Sequence, residues 1–134
     1  MTGSAGVVLA LGVIHLVYTF HGPKLTPRDP AVQQRMQQVS PVITSETTMW
    51  KTWIGFNASH SLGLMLFGFI YGYFALAKSD VLFGSPFLLA VGFDMLLALL
   101  VLGRLYFFSV PFWGICFSFV CYVGSIVFSR LNLR

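Results

Sequence analysis

Charged residues are scarce in this sequence: they make up 9% of its 134 residues, whereas a soluble domain carries about 25%. Hydrophobic residues make up 57%, and the mean hydropathy is +0.82. This composition excludes a soluble globular domain. Four long apolar stretches take up most of the chain, and a membrane-spanning helix needs roughly 20 residues. We therefore expect a single transmembrane domain over residues 1–134, with no room for a second domain.

Cysteine is also scarce, and the familiar catalytic motifs are missing. Cys116 and Cys121 lie in one apolar run and are five residues apart. On a helix this spacing places them about 140° apart around the axis, so they cannot form a disulfide with each other. The sequence contains no CxxC pair, P-loop, GxSxG elbow or HExxH helix. These absences remove the usual sequence support for thiol redox chemistry, P-loop phosphate binding and metalloprotease activity, and we predict no metal site.

Positive charge is in excess, with eight Lys and Arg against four Asp and Glu, but the basic residues are scattered along loops and ends. A nucleic-acid surface needs them clustered, so we predict no nucleic-acid partner. In a membrane protein, such residues mostly set the orientation and contact anionic head groups. Membrane lipids are therefore the expected surroundings.

The apolar stretches predict four membrane-spanning helices, since prolines and glycines break the chain between them. The spans lie at about residues 4–20, 46–77, 86–108 and 112–129. In the first connection, Asp29 followed by Pro30 is typical of a helix start, and three apolar residues recur there at helical spacing. We therefore predict an all-α integral membrane protein: a four-transmembrane-helix bundle with a short amphipathic interfacial helix, at about residues 30–40, in the first loop.

Four ionisable side chains fall within the predicted spans, and each is a functional candidate because burying such a group in a bilayer is costly. They are His15, His60, Asp94 and Arg104. Counting inward at 1.5 Å per residue places all but Asp94 in one layer, on the order of 10 Å or less below the membrane surface that carries the first loop. Asp94 lies nearer the midplane, with Tyr122 at similar depth as its candidate partner.

A polar chamber is predicted in that layer. Residues at spacings of three and four line one face of the second span; they are Glu46, Trp50, Trp53, Asn57, His60 and Leu64. His15 and Tyr18 share a face of the first span. We expect the chamber, covered by the first loop, to be bordered by His15, Tyr18, Asn57, His60, Ser61 and Arg104.

The main functional hypothesis is that the chamber binds a small amphipathic or lipid-like ligand. The predicted ligand contacts are Tyr18, Trp53, Asn57, Ser61 and Arg104. Imidazole titrates near neutral pH, so His15 and His60 are the candidate catalytic acid and base, with Glu46 at the mouth to orient one of them or relay its proton. The sequence does not separate an enzyme from a binding protein with the same pocket.

Three other functions compete with this hypothesis. One is haem b ligated by His15 and His60, with Arg104 near a propionate. Another is transport, with Asp94 as the coupling carboxylate. The third is a non-catalytic accessory subunit of a larger membrane complex.

Small residues form a face on the second span that allows a neighbouring helix to approach closely. They are Gly55, Ser59, Gly63, Gly68 and Gly72. This face predicts helix packing, or a homo-oligomer formed through it. The chain as a whole has a general likeness to small four-span proteins of the bacterial inner (cytoplasmic) membrane, and the likeness implies that location.

Overall fold

The computed structural model describes residues 1–132 and is 82% helical, and none of these residues forms a strand. The helices are α1 (Thr2–Phe20), α2 (Pro30–Gln38), α3 (Met49–Ala77), α4 (Ser79–Gly84), α5 (Pro86–Tyr106) and α6 (Ser109–Asn132). Four of them, α1, α3, α5 and α6, are long and apolar enough to cross a membrane. The predicted class, an all-α integral membrane protein with four spanning helices, is confirmed.

The short helix α2 in the first loop begins where its capping residues predict. The Asp29 carboxylate accepts a hydrogen bond from the backbone N–H of Ala31 at 2.9 Å, and Pro30 occupies the first helical position, where no N–H is needed. At the other end, the N–H of Val39 donates to the carbonyl of Arg35. The helix is therefore two residues shorter than the predicted 30–40.

The third helix begins at Met49 and not at Glu46, so the prediction that Glu46 lies on the face of this helix is wrong. Local side-chain bonds explain the difference. The Thr44 hydroxyl accepts the N–H of Glu46 at 3.1 Å and forms a turn there. The Thr48 hydroxyl accepts the N–H of Lys51 at 3.3 Å, which is the hydrogen bond of an N-cap residue.

By its contacts, the chain divides into two compact units. Unit 1 consists of Met1–Leu11 and Leu64–Arg134, and unit 2 consists of Gly12–Gly63. Helices α1 and α3 each contribute a segment to both units. The single domain predicted for residues 1–134 stays a prediction, and its last two residues, 133 and 134, lie outside the described part of the chain.

Unit 1 contains the apolar core. Its buried side chains are Ala5, Val8, Leu64, Phe67, Tyr71, Leu82, Leu89, Leu96, Leu99, Ile115 and Tyr122. Leu82 belongs to α4, a helix that lies between the predicted second and third spans. Because Leu82 is fully buried, the core holds this short helix in place.

Two buried tyrosines fasten the helices of unit 1 to one another. The Tyr71 hydroxyl of α3 donates to the carbonyl of Leu88 at 2.7 Å, and the Tyr122 hydroxyl of α6 donates to the carbonyl of Leu89 at 2.8 Å. Both acceptors lie in the first turn of α5. Helices α3 and α6 are thereby bonded to adjacent positions of the same helix.

Glycines of α3 allow close packing against α1 within unit 1. A Cβ atom at Gly68 would lie 2.6 Å from Cβ of Leu9, and one at Gly72 would lie 3.8 Å from Cβ of Ala5. These two members of the predicted oligomer face therefore pack inside the chain. In unit 2, a Cβ at Gly55 or Gly63 would meet no atom within 4 Å, and Ser59 is exposed. Oligomerisation through that half of the face stays a prediction.

A serine pair joins α1 and α6 in the buried part of unit 1. Oγ of Ser4 lies 2.8 Å from Oγ of Ser118, and the Ser118 hydroxyl also lies 3.1 Å from the carbonyl oxygen of Ser4. We expect Ser118→Ala to lower the free energy of unfolding by about 1 kcal/mol, since both bonds are lost and interhelical hydrogen bonds in membranes average about 0.6 kcal/mol each.

The measurement for this prediction is unfolding by sodium dodecyl sulfate in mild detergent micelles, followed by near-ultraviolet circular dichroism. Ser129→Ala on the same helix is the matched control, since no bond to Ser4 is lost there. Equal midpoints for the two variants would show that the serine pair contributes nothing to stability.

Candidate functional site

Unit 2 brings His15, Asn57 and His60 together between α1 and α3. Nε2 of His15 lies 3.0 Å from Oδ1 of Asn57. The two imidazole rings are in edge contact, with centroids 5.3 Å apart and planes inclined at 66°. Asn57 and His60 are three residues apart on α3 and so share a helix face. The three residues form what we call the His–Asn–His array.

The orientation of the Asn57 amide follows from its second bond. Its Nδ2 donates to the carbonyl of Trp53 at 2.7 Å, one turn earlier on α3. Oδ1 therefore faces His15, and because an amide oxygen only accepts hydrogen bonds, Nε2 of His15 carries the hydrogen. The array thus excludes the His15 tautomer whose Nε2 lacks a hydrogen.

A cavity of about 190 Å³ adjoins the array in unit 2. Its walls are mainly aromatic and aliphatic, and they also include the polar residues Thr19, Thr26 and Asn57. The apolar and aromatic side chains of α1 and α3 in the wall are Tyr18, Phe20, Trp50, Trp53 and Ile54. The first loop closes one side through Leu25 and Thr26. His15 and His60 are not among the described residues that line the cavity, so Asn57 is the member of the array that a bound molecule would touch.

A second cavity, of about 360 Å³, lies under α2. It is lined by Lys24, Leu25, Thr26, Pro27, Met36 and Trp53. The Trp53 side chain lines both cavities, and its Nε1–H donates to the carbonyl of Leu25 at 3.0 Å. This bond fastens the first loop to α3 across 28 residues of sequence.

Lys24, which the residue pattern did not single out, contacts Tyr18 at the edge of the site. Its ammonium nitrogen lies 4.6 Å from the centroid of the Tyr18 ring and 3.4 Å from the Tyr18 hydroxyl oxygen. This is the geometry of a cation–π contact. The loop is therefore held to α1 by Lys24 and to α3 by Trp53. The only sequence signal was the spacing of six residues between Lys24 and Tyr18 across a Gly-Pro turn.

Three predicted site residues lie elsewhere. Glu46 is exposed and precedes α3. Arg104 belongs to unit 1, where it is exposed in the last turn of α5. Ser61 is buried in unit 2, but its hydroxyl donates to the carbonyl of Asn57 on its own helix at 2.9 Å. Of the predicted ligand contacts, Tyr18, Trp53 and Asn57 therefore line the cavity.

The histidine pair does not have the geometry of a haem site. A haem iron with two imidazole ligands holds one ring on each side of the macrocycle. Here the rings of His15 and His60 touch each other, and Nε2 of His15 is bonded to Asn57. Among the described residues, no group of three or more His, Cys, Asp or Glu side chains could hold a metal ion.

The fold and the site together define a polytopic α-helical membrane protein with a small cavity beside a His–Asn–His array. No family model matches the sequence, and neither the curated proteins nor the solved structures include a similar one. The function is therefore argued from the site itself.

Proposed function

We propose that unit 2 binds a small amphipathic or lipid-like ligand in the cavity of about 190 Å³ between α1, α3 and the first loop. The observation that supports this most directly is the place of Asn57, an oriented amide in a wall that combines aromatic and aliphatic side chains with a few polar ones. Ligand sites are typically concave and apolar, with a few fixed polar groups that orient the ligand. The loop that closes the cavity is held at two points, by Lys24 and Trp53.

The cavity size limits the ligand. Sites for drug-sized molecules measure about 300–1,000 Å³, so a volume of about 190 Å³ suits a small molecule or one end of a longer one. At about 30 Å³ per molecule of liquid water, it equals roughly six waters. For a lipid, we propose that one polar end enters the cavity and the chain remains in the bilayer.

The hydrogen-bonding capacity of Asn57 indicates which polar group enters. One N–H of its amide is used by Trp53, and one lone pair of its oxygen is used by His15. One N–H and one lone pair remain, and a ligand hydroxyl or carbonyl can use them. Since no charged residue is among the described residues that line the cavity, we propose a neutral polar group.

We assign His15 a positioning role, because its Nε2–H fixes the amide that the ligand contacts. His60 packs against the His15 ring and supports it in turn. Acid–base catalysis by His15, His60 and Glu46 would require these groups to reach the cavity. The proposed function is therefore binding.

We also propose the bacterial cytoplasmic membrane as the location. The basis is the general likeness in size and span number noted above. Four apolar spanning helices are compatible with that location.

The test is retention of a molecule by the gently purified protein. We expect native mass spectrometry to detect one bound molecule of constant mass on the wild type, and Asn57→Leu to bind it at least tenfold more weakly, or about 1.4 kcal/mol. Loss of one partner of a buried hydrogen bond costs about this much. Ser59→Ala, two positions further along α3 and exposed, is the matched control.

A wild-type protein without any bound molecule in both micelles and lipid nanodiscs would contradict the proposal and favour the accessory-subunit alternative. So would an Asn57→Leu protein that retains the same molecule as strongly as the wild type. Circular dichroism of each variant establishes that the helices are intact.

A further inference from the structure

Asp94 is an exposed acidic residue in the middle of a membrane-spanning helix. It lies eight residues after Pro86, the first residue of the 21-residue helix α5, or about 12 Å along a helix roughly 31 Å long. Its side chain is exposed, and no residue among 1–132 forms a hydrogen bond or ion pair with it. Tyr122, its predicted partner, donates instead to the carbonyl of Leu89.

An ionisable side chain at this depth requires a partner. Within membrane spans such residues almost always face a protein interior or a water-filled cavity, or pair with one another. Within the described part of unit 1, the exposed side chain of Asp94 has no protein interior around it and no hydrogen-bonding or charged partner. A second polypeptide that covers this face would remove the carboxyl from lipid and supply a hydrogen-bonding group.

The residues around Asp94 suit a close helix contact. Ala90 and Ala98 lie one turn before and one turn after it, and both are exposed. Small residues at such positions let two helix backbones approach closely. Val91, Leu97 and Val101 lie on the same face and are 45%, 42% and 51% exposed. Nearer the ends of the helix, Phe87 and Leu105 extend this face and are 73% and 66% exposed. This face of α5, which we call the Asp94 face, is separate from the glycine face of α3.

We propose that the Asp94 face binds a second copy of this chain through a two-fold contact between the two α5 helices. A two-fold axis along the membrane normal places equal residues at equal depth, so the two Asp94 carboxyls meet where the helices cross. A carboxylic acid both donates and accepts hydrogen bonds, and two of them can therefore pair with each other.

The other ionisable group of α5 does not fit as the partner. Arg104 lies ten residues further along the helix, or about 15 Å, and a parallel copy places it at that distance from Asp94. In a dimer of this chain, the partner of each Asp94 is the Asp94 of the other copy, so no residue outside the Asp94 face is required. The proposal does not depend on the ligand proposed for unit 2.

The experiment is cysteine cross-linking of the full chain in phosphatidylethanolamine–phosphatidylglycerol vesicles, with Cys116→Ser and Cys121→Ser as background. We expect Ala98→Cys to give a covalent dimer on oxidation with copper phenanthroline. Phe93→Cys is the matched control, because Phe93 is 37% exposed and about 100° around the helix from Asp94. In nanodiscs made from these lipids, Asp94→Leu should weaken dimerisation at least tenfold, whereas Asp94→Asn should retain it.

Three results would overturn the proposal. They are a monomeric wild type in vesicles, equal cross-linking of Ala98→Cys and Phe93→Cys, and dimerisation of Asp94→Leu at the wild-type level. In the first case, the remaining occupant of the face is another membrane protein with a basic residue in its span. Asp94 is exposed, so its variants are expected to fold; the circular dichroism spectrum and the ligand retention of unit 2 provide independent checks.

Discussion

Gly92→Ala is expected to destabilise unit 1 by about 1–3 kcal/mol, the usual cost of overpacking a well-packed interior. A Cβ atom at Gly92 would overlap the Tyr122 hydroxyl and lie 2.7 Å from Cε1 and Cζ of Tyr71. Both rings would have to move, and with them the hydrogen bonds from their hydroxyls to the first turn of α5. One methyl group would thus disturb the packing of three helices.

Unfolding of Gly92→Ala in detergent, followed by the near-ultraviolet signal of the tyrosines, measures this effect. Gly124→Ala is the matched control, because a Cβ at that position on α6 would meet nothing within 4 Å. The control should be neutral or slightly stabilising, since alanine favours helix more than glycine does. Similar unfolding midpoints for the two variants would mean that Tyr71 and Tyr122 leave room for a methyl group at Gly92.

Trp53→Ala is expected to release the first loop and abolish ligand retention. The change removes the wall shared by both cavities and the bond from Nε1 to the carbonyl of Leu25. A hydrogen bond contributes about 0.5–1.5 kcal/mol, and the lost ring contacts add to that. Because proteolysis follows the population of the open form, we expect trypsin to cleave after Lys24 at least tenfold faster.

Two further variants separate the contributions of this side chain. Trp53→Phe keeps an aromatic wall but loses the donor, so cleavage should accelerate while part of the ligand retention remains. Trp50→Ala removes part of the wall of the first cavity and leaves the bond between Trp53 and the loop intact. It should weaken retention without accelerating cleavage after Lys24. Unchanged cleavage of Trp53→Ala would show that the loop is held by other contacts.

The fold could be predicted from the sequence because apolar length and helix-capping residues are local signals. The pair Asp29 and Pro30 marks the start of α2 within the chain itself. The start of α3 was misplaced because two threonine hydroxyls compete for the backbone near Glu46. Helix α4 was missed because six residues carry little periodicity, and its position depends on burial of Leu82 by the core.

The site was only partly predictable. Depth counting placed His15 and His60 in one layer, and their rings are in contact in the structure. Part of the cavity wall belongs to the first loop, which is held in place by the hydrogen bond from the Trp53 indole to the carbonyl of Leu25. Because every residue has a backbone carbonyl, the residue types in an irregular segment do not show which carbonyl will accept a side-chain hydrogen bond. Arg104 was assigned from depth alone, and depth does not determine the direction in which a side chain points.

The amide of Asn57 also limits how protons can move in this half of the chain. An amide cannot take up a proton near neutral pH and pass it on as imidazole does. Nε2 of His15 donates its hydrogen to that amide, so only Nδ1 of the His15 ring remains for a further hydrogen bond. A conducting pathway across a membrane needs an unbroken series of exchangeable groups. The amide of Asn57 cannot be a member of such a series, and it therefore serves the His–Asn–His array as a fixed hydrogen-bonding group.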